Sequence, residues 1–143
     1  MHPLRTRLGQ KRRVVVPGPL FGRAIEGLPD EVRDAYAEAR KCFQVQAFTA
    51  AVLLCRKLLM YVAVNKGDKP NKHFVEYIDY LVSKNYVSEP MKPWVTRIKD
   101  NGNEATHELP PSDEKMATDT LQFTATLLHL IYEIEHQMGS SGR

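Results

Sequence analysis

Residues 47–65 read AFTAAVLLCRKLLMYVAVN, and this stretch decides the fold. Apolar residues lie on nearly every side of a helix drawn through it, and Gly67 follows as a natural C-terminal stop. A helix that is apolar almost all round needs other helices to cover it. The charged pair Arg56-Lys57 interrupts the apolar run, so we do not expect a membrane span. The stretch predicts the central helix of a soluble bundle.

Amphipathic stretches on both sides of residues 47–65 supply the covering helices. Residues at about 28–43 repeat apolar side chains at helical spacing. Asn71 is placed to cap a third helix, Pro90 and Pro93 bracket the start of a fourth, and Ser112 with the acids after it starts a fifth. No convincing pair of strands appears. The sequence therefore predicts an all-α bundle of four to five helices.

Charge divides the chain into an arm and a body. The formal net charge is +3, yet residues 1–23 hold six basic residues and no acid, which leaves −3 for the rest. We expect an extended basic leader at 1–27, a single bundle domain at 28–138 and a disordered tail at 139–143. The arm can contact phosphates, but a solvated leader is the favoured interpretation.

The cysteines and histidines do not form a recognisable cluster. Cys42 and Cys55 both fall in apolar helical stretches, which indicates reduced, buried thiols and a cytoplasmic location. His73, His129 and His136 lack the spacing of metal ligands. We expect no metal site and no cofactor.

Residues 97–107 are the candidate functional segment. Gly102 permits a left-handed turn that ends the fourth helix, and Asn103 can cap the turn that follows. His107 would lie on the same face as Asn103, and Arg97 can point into the same corner. A guanidinium fork beside an imidazole suits a phosphate. The structural alternative is that Asn103 only caps and His107 only packs or bonds a carbonyl.

Arg56 is a second candidate because it interrupts the most apolar helix. A buried guanidinium needs an acidic or carbonyl partner, so Arg56 can brace the Asn103–His107 turn or pair with Glu104. Alternatively, Thr49, Arg56 and Lys57 mark a narrow exposed stripe. The sequence leaves these interpretations open.

Three segments resemble a widespread bacterial family of unknown function. They are residues 50–64, residues 74–81 and the pattern Arg97…Gly102-Asn103-x-Ala105-x-His107. That family is also found attached to type I restriction and other phage-defence proteins, and its helical domains resemble the HEPN group of nucleotide-binding domains. The resemblance covers about residues 28–136 and implies a HEPN-like helical fold.

The resemblance also implies a ribonuclease activity as one of two functions. HEPN-like ribonucleases use an Arg and a His without metal, often at a dimer interface, which would make His107 the proton-transfer group and Arg97 the phosphate clamp. Nine residues separate this pair, more than that resemblance implies. We therefore expect a homodimeric interaction or sensing module in a nucleic-acid-linked or phage-defence context. RNA, another phosphate-bearing ligand or a protein are its expected partners, and a metal-independent ribonuclease is the alternative.

Overall fold

Six α-helices make up most of the chain that the structure describes. The computed structural model describes residues 23–101 and 111–141. The helices are α1 (Asp30–Gln44), α2 (Phe48–Asn65), α3 (Phe74–Ser83), α4 (Lys92–Asn101), α5 (Glu114–Leu128) and α6 (Ile134–Ser141). A short 3₁₀ turn at Glu89–Met91 leads into α4, and a π-helical turn at His129–Glu133 joins α5 to α6 in one continuous rod. None of the described residues forms a strand, and the predicted all-α bundle is confirmed.

Helix α2 is the centre of the packing, as its composition predicts. It packs against α1, α5 and α3, and α4 in turn packs against α5. The apolar side chains of these helices meet in one core, in which Leu59, Phe74 and Phe123 are fully buried. The core follows from the apolar periodicity of each helix, since burial of such faces is the main driving force for folding.

The outer side of α2 is less covered than predicted. Seven of its 18 residues are buried, whereas Leu53, Tyr61 and Val64 remain 37–38% exposed. With a mean hydropathy of 1.5, α2 is also long and apolar enough to cross a membrane by length and composition alone. The core helix of a bundle passes the same test. Helix α2 is therefore central to the packing, as predicted, but its outer face is only partly covered.

The ends of the helices show which local signals the sequence carries. Gly67, with φ +119°, follows the end of α2 as predicted, and Asp113 caps α5 by accepting a hydrogen bond from the Met116 amide at 2.9 Å. The predicted Asn71 cap of α3 is wrong. The Glu76 side chain instead accepts a bond from the His73 amide at 2.8 Å, which fixes the start of α3 at His73.

One of the two cysteines departs from its predicted environment. Cys55 is fully buried, and this burial raises the pKa of its thiol to about 12. Cys42 is only half-buried on α1, so the prediction of two buried thiols holds for one of them. Both thiols are unbridged, as predicted.

Residues 23–27, which we name the strap, lie against the bundle ahead of α1. They carry no helix, as expected for the end of the predicted leader, but they are attached to the rod and to α1. The Tyr36 hydroxyl donates a hydrogen bond to the Arg23 carbonyl at 2.6 Å, and the Glu26 amide donates one to Glu133 Oε2 at 3.0 Å. The packed part of the chain thus begins before Leu28.

The central role of α2 predicts unequal costs for truncating its two sides. Leu59→Ala empties a fully buried site and should lower the free energy of unfolding by about 2–5 kcal/mol. Leu53→Ala on the exposed side of the same helix should cost less than about 1 kcal/mol. Urea denaturation of both variants measures the difference. Equal losses would show that α2 is not packed as described.

Candidate functional site

The structure describes two of the residues singled out from the sequence, Arg97 and Arg56. The others, Gly102, Asn103, Ala105 and His107, lie outside the described residues. Whether Arg97 and His107 converge therefore stays a prediction. The candidate site is built from the residues on either side of this segment.

Arg97 on α4 makes an ion pair with Asp119 on α5. Its Nε donates to Asp119 Oδ2 at 2.9 Å, and the Asp119 side chain is only 8% exposed whereas that of Arg97 is 43% exposed. Lys115, one turn before Asp119, places its Nζ 3.3 Å from the same oxygen and is 75% exposed. A carboxylate this deeply buried needs hydrogen-bonding or cationic partners to replace its lost hydration. Two cations thus converge on one anchored carboxylate.

An open pocket of about 280 Å³ lies beside this pair. It is lined by residues at the end of α4, at the start of α5 and just before α5: Arg97, Pro111, Ser112, Asp113, Lys115, Met116 and Asp119. The segment with the predicted motif connects α4 to this side of the pocket, because it follows Asn101 and precedes Pro111 in the sequence. The pocket is thus next to the predicted hot spot along the chain.

The carboxylates of the pocket are already engaged, while the guanidinium keeps donors to offer. Asp113 caps α5 and Asp119 holds the two cations. Within the described residues, the bond of Arg97 to Asp119 uses Nε, which leaves the Nη1 and Nη2 donors for an acceptor in the pocket. Ser112 also donates its amide to Thr49 Oγ1 at 2.9 Å, which ties this wall to α2. The described lining thus combines two cations with two engaged carboxylates, and Arg97 supplies its remaining guanidinium donors.

Arg56 has a partner that was not expected from the sequence. Its guanidinium lies 4.8 Å from the centre of the Phe74 ring on α3, a distance typical of a cation–π contact. Arg56 is half-buried, Lys57 is exposed and Thr49 is half-buried and bonded to Ser112, so these three residues do not form a uniformly exposed stripe. Glu104 lies outside the described residues. Arg56 therefore contacts α3, whereas Arg97 contacts α5.

Asp119 and Lys115 are the residues of this site that sequence reasoning missed. Asp119 is an acid on a helix whose neighbouring positions Thr120 and Phe123 are core, and an acid among core positions signals a buried ion pair. That signal does not identify the partner, which lies 22 residues away on α4. Among residues 23–101 and 111–141, no three His, Cys, Asp or Glu side chains cluster as a metal site requires.

The geometry predicts strong energetic coupling between Arg97 and Asp119. In a double-mutant cycle of Arg97→Ala and Asp119→Ala, the changes in the free energy of unfolding should deviate from additivity by about 1–3 kcal/mol. The reason is that removing either residue leaves the other without its ion-pair partner. The matched control is the more exposed pair Lys99–Asp79, whose Nζ and Oδ1 are 2.7 Å apart. Its coupling should stay below about 1 kcal/mol. Equal couplings would contradict the anchoring role of Asp119.

Comparison with known proteins places the chain in a family. No curated protein matches the chain, and no solved structure matches it. The model of one family, described as "Domain of unknown function (DUF4145)", matches residues 37–141. This range contains α2 to α6, most of α1, and the pocket with Arg97, Lys115 and Asp119. The chain belongs to the DUF4145 family of domains of unknown function.

Proposed function

We propose that this domain is a binding module for a phosphate-bearing ligand, RNA above all, and that the pocket between α4 and α5 is its binding site. The observation that carries the proposal is the Arg97 guanidinium, held by the buried Asp119 carboxylate at the edge of an open pocket beside a second cation. Arginine is suited to phosphate because its planar fork matches two phosphate oxygens.

Anchoring by Asp119 supports binding by lowering its entropic cost. A free arginine side chain loses rotamer freedom when it grips a ligand. Arg97 is already fixed at Nε in the unliganded domain, so less of that cost falls on binding. Lys115 adds a compact charge that can follow a second phosphate oxygen, since its side chain is largely exposed.

The six basic residues of the segment 1–23 extend the same proposal to a longer polyanion. Such a segment gains affinity by displacing the counterions of a phosphate backbone, whereas the remainder of the chain carries a formal charge of −3. The proposal also includes that the protein is a cytoplasmic homodimer that acts in a nucleic-acid-linked or phage-defence context, as expected from the sequence.

The alternative, a metal-independent ribonuclease, differs only in a chemical step after binding. Arg97 would hold the scissile phosphate and His107, four residues before Pro111 in the sequence, would move the proton. The fixed Arg97 at the pocket suits either role. The two functions are therefore separated by whether RNA is cut, and by whether His107 is needed.

Binding of a fluorescently labelled single-stranded RNA tests the proposal. Arg97→Gln should weaken binding about tenfold or more, because it removes a charge-assisted bidentate contact, and should reduce the salt dependence of log K by about one unit. Lys115→Gln, which leaves the Arg97–Asp119 pair in place, should weaken binding less. Lys99→Gln is the matched control on α4, since Lys99 pairs with Asp79 away from the pocket.

The outcomes are distinct. If Arg97→Gln and Lys115→Gln bind RNA as the wild type does, the pocket is not the binding site. Incubation of the same RNA with wild type and His107→Ala separates the two functions. Intact RNA in both reactions supports the binding module, whereas cleavage that His107→Ala abolishes supports the ribonuclease.

A further inference from the structure

A second polar cluster, far from the pocket along the rod, holds the strap. Three polar contacts attach residues 23–27 to the bundle. The Arg23 carbonyl accepts from the Tyr36 hydroxyl, the Glu26 amide donates to Glu133, and Arg23 Nη2 lies 3.4 Å from Glu133 Oε1. Ile25 adds apolar contact as a partly buried residue packed against the core. Two of the three polar contacts thus end on one carboxylate.

Glu133 is built to hold these contacts. It is 5% exposed in the π-helical turn, and His129 on the same turn lies 2.6 Å from Glu133 Oε1 through its Nδ1. The hydrogen bond from the Glu26 amide, then that from His129, lower the pKa of the Glu133 carboxyl below its ordinary value, and the charge of Arg23 acts in the same direction. Glu133 is therefore negative at neutral pH and anchors the strap.

Gly27 allows the strap to approach the rod this closely. It adopts φ +82°, and a Cβ at this position would lie 2.5 Å from His136 Cβ on α6. A side chain at residue 27 would have to displace α6 or the strap. The closed position thus depends on two separate features, the Glu133 carboxylate and the missing side chain of Gly27.

In the closed position, the strap has both groups of Arg23 that an arginine-specific serine protease must bind already engaged in contacts with the bundle. Such a protease takes the arginine side chain into an acidic specificity pocket and the scissile carbonyl oxygen into an oxyanion hole. Here the Arg23 side chain contacts Glu133, and the Arg23 carbonyl oxygen is the acceptor of the Tyr36 hydroxyl at 2.6 Å. Arg23 and Ala24 are both exposed, and the Arg23 side chain is 55% exposed, so the strap opposes cleavage by fixing these two groups of Arg23 rather than by burying the peptide bond.

We propose that the Arg23–Ala24 bond is a site of limited proteolysis and that the contacts between the strap and Glu133 control access of a protease to this bond. When the strap opens, an arginine-specific protease adds water across this bond, which leaves a carboxylate on Arg23 and an amine on Ala24. The cut removes all six basic residues of segment 1–23 and no acid, so the formal net charge changes from +3 to −3. Cleavage thus separates the basic segment 1–23 from the helical body, which has a formal charge of −3. The proposal does not depend on what the pocket binds.

Trypsin digestion of the full chain, followed by intact-mass measurement, tests the proposal. Wild type should be cut after Arg23 at least about tenfold more slowly than a synthetic peptide of residues 14–30, because the strap must open first. Glu133→Gln should be cut about tenfold faster than wild type, since it loses the charged acceptor of two contacts. Cleavage after Lys41, inside α1, reports global unfolding and should stay slow in both proteins.

Three further variants make the test specific. Glu135→Gln is the matched control, because Glu135 lies on α6, is 71% exposed and contacts Lys66 rather than the strap. It should be cut as slowly as wild type. Gly27→Ala places a Cβ against His136 without changing Glu133, and Tyr36→Phe removes the hydroxyl that donates to the Arg23 carbonyl, so both should accelerate the cut after Arg23.

Two results would overturn the proposal. One is a wild-type protein cut after Arg23 as fast as the peptide. The other is a set of Glu133→Gln, Gly27→Ala and Tyr36→Phe variants that are all cut at the wild-type rate. If Glu133→Gln accelerates cleavage after Lys41 as well, the substitution unfolds the domain, and Gly27→Ala and Tyr36→Phe then decide.

Discussion

A carboxylate removed from water needs donors that replace its lost hydration, and the C-terminal rod of this domain buries two carboxylates. Asp119 on α5 and Glu133 in the π-helical turn are both less than 10% exposed. Each one draws in a distant part of the chain, Arg97 from α4 in one case and residues 23–26 in the other. The ion pair at the candidate pocket and the polar contacts of the strap both arise from this requirement.

The apolar core is what removes these two carboxylates from water. Because α2 is covered on one side by α1, α3 and α5, the inner face of α5 is excluded from water over its whole length. Asp119 is only 6% exposed on this helix, and its ion-pair partners are Arg97 from α4 and Lys115 from α5 itself. Asp119 lies where α4 packs against α5, and its pairing places an exposed guanidinium at the edge of a pocket. The candidate pocket is thus a consequence of how α4 and α5 pack together.

The helices could be predicted from sequence because their signals are local. Apolar periodicity, Gly67 after α2 and Asp113 before α5 act within a few residues of the structure that they determine. The π-helical turn could not be predicted, because the apolar pattern of the last helix continues through it. The strap contacts were not predicted either, since a run of basic residues, proline and glycine does not show that residues 23–27 meet an acid 107 residues later.

The candidate site was predictable in part. Arg97 was identified from its chemistry, and the structure shows it anchored at a pocket. Its anchor Asp119 was missed because the pairing of two helices, rather than local spacing, brings them together. Arg56 also contacts the face of Phe74 on α3, a partner that the expectation of an acid or a carbonyl did not include. Residue chemistry identified Arg97, but the tertiary packing determined its partner.

The central claim is that Arg97 is a fixed guanidinium poised for an anion, and NMR of the arginine Nε–H groups tests it most directly. The account predicts that the Arg97 signal is protected from exchange, loses this protection in Asp119→Asn and shifts when RNA is added. Arg33, which is 57% exposed and pairs with exposed acids on α1, provides the reference for a mobile surface arginine. An Arg97 signal that exchanges as fast as that of Arg33 and does not respond to RNA would contradict the account.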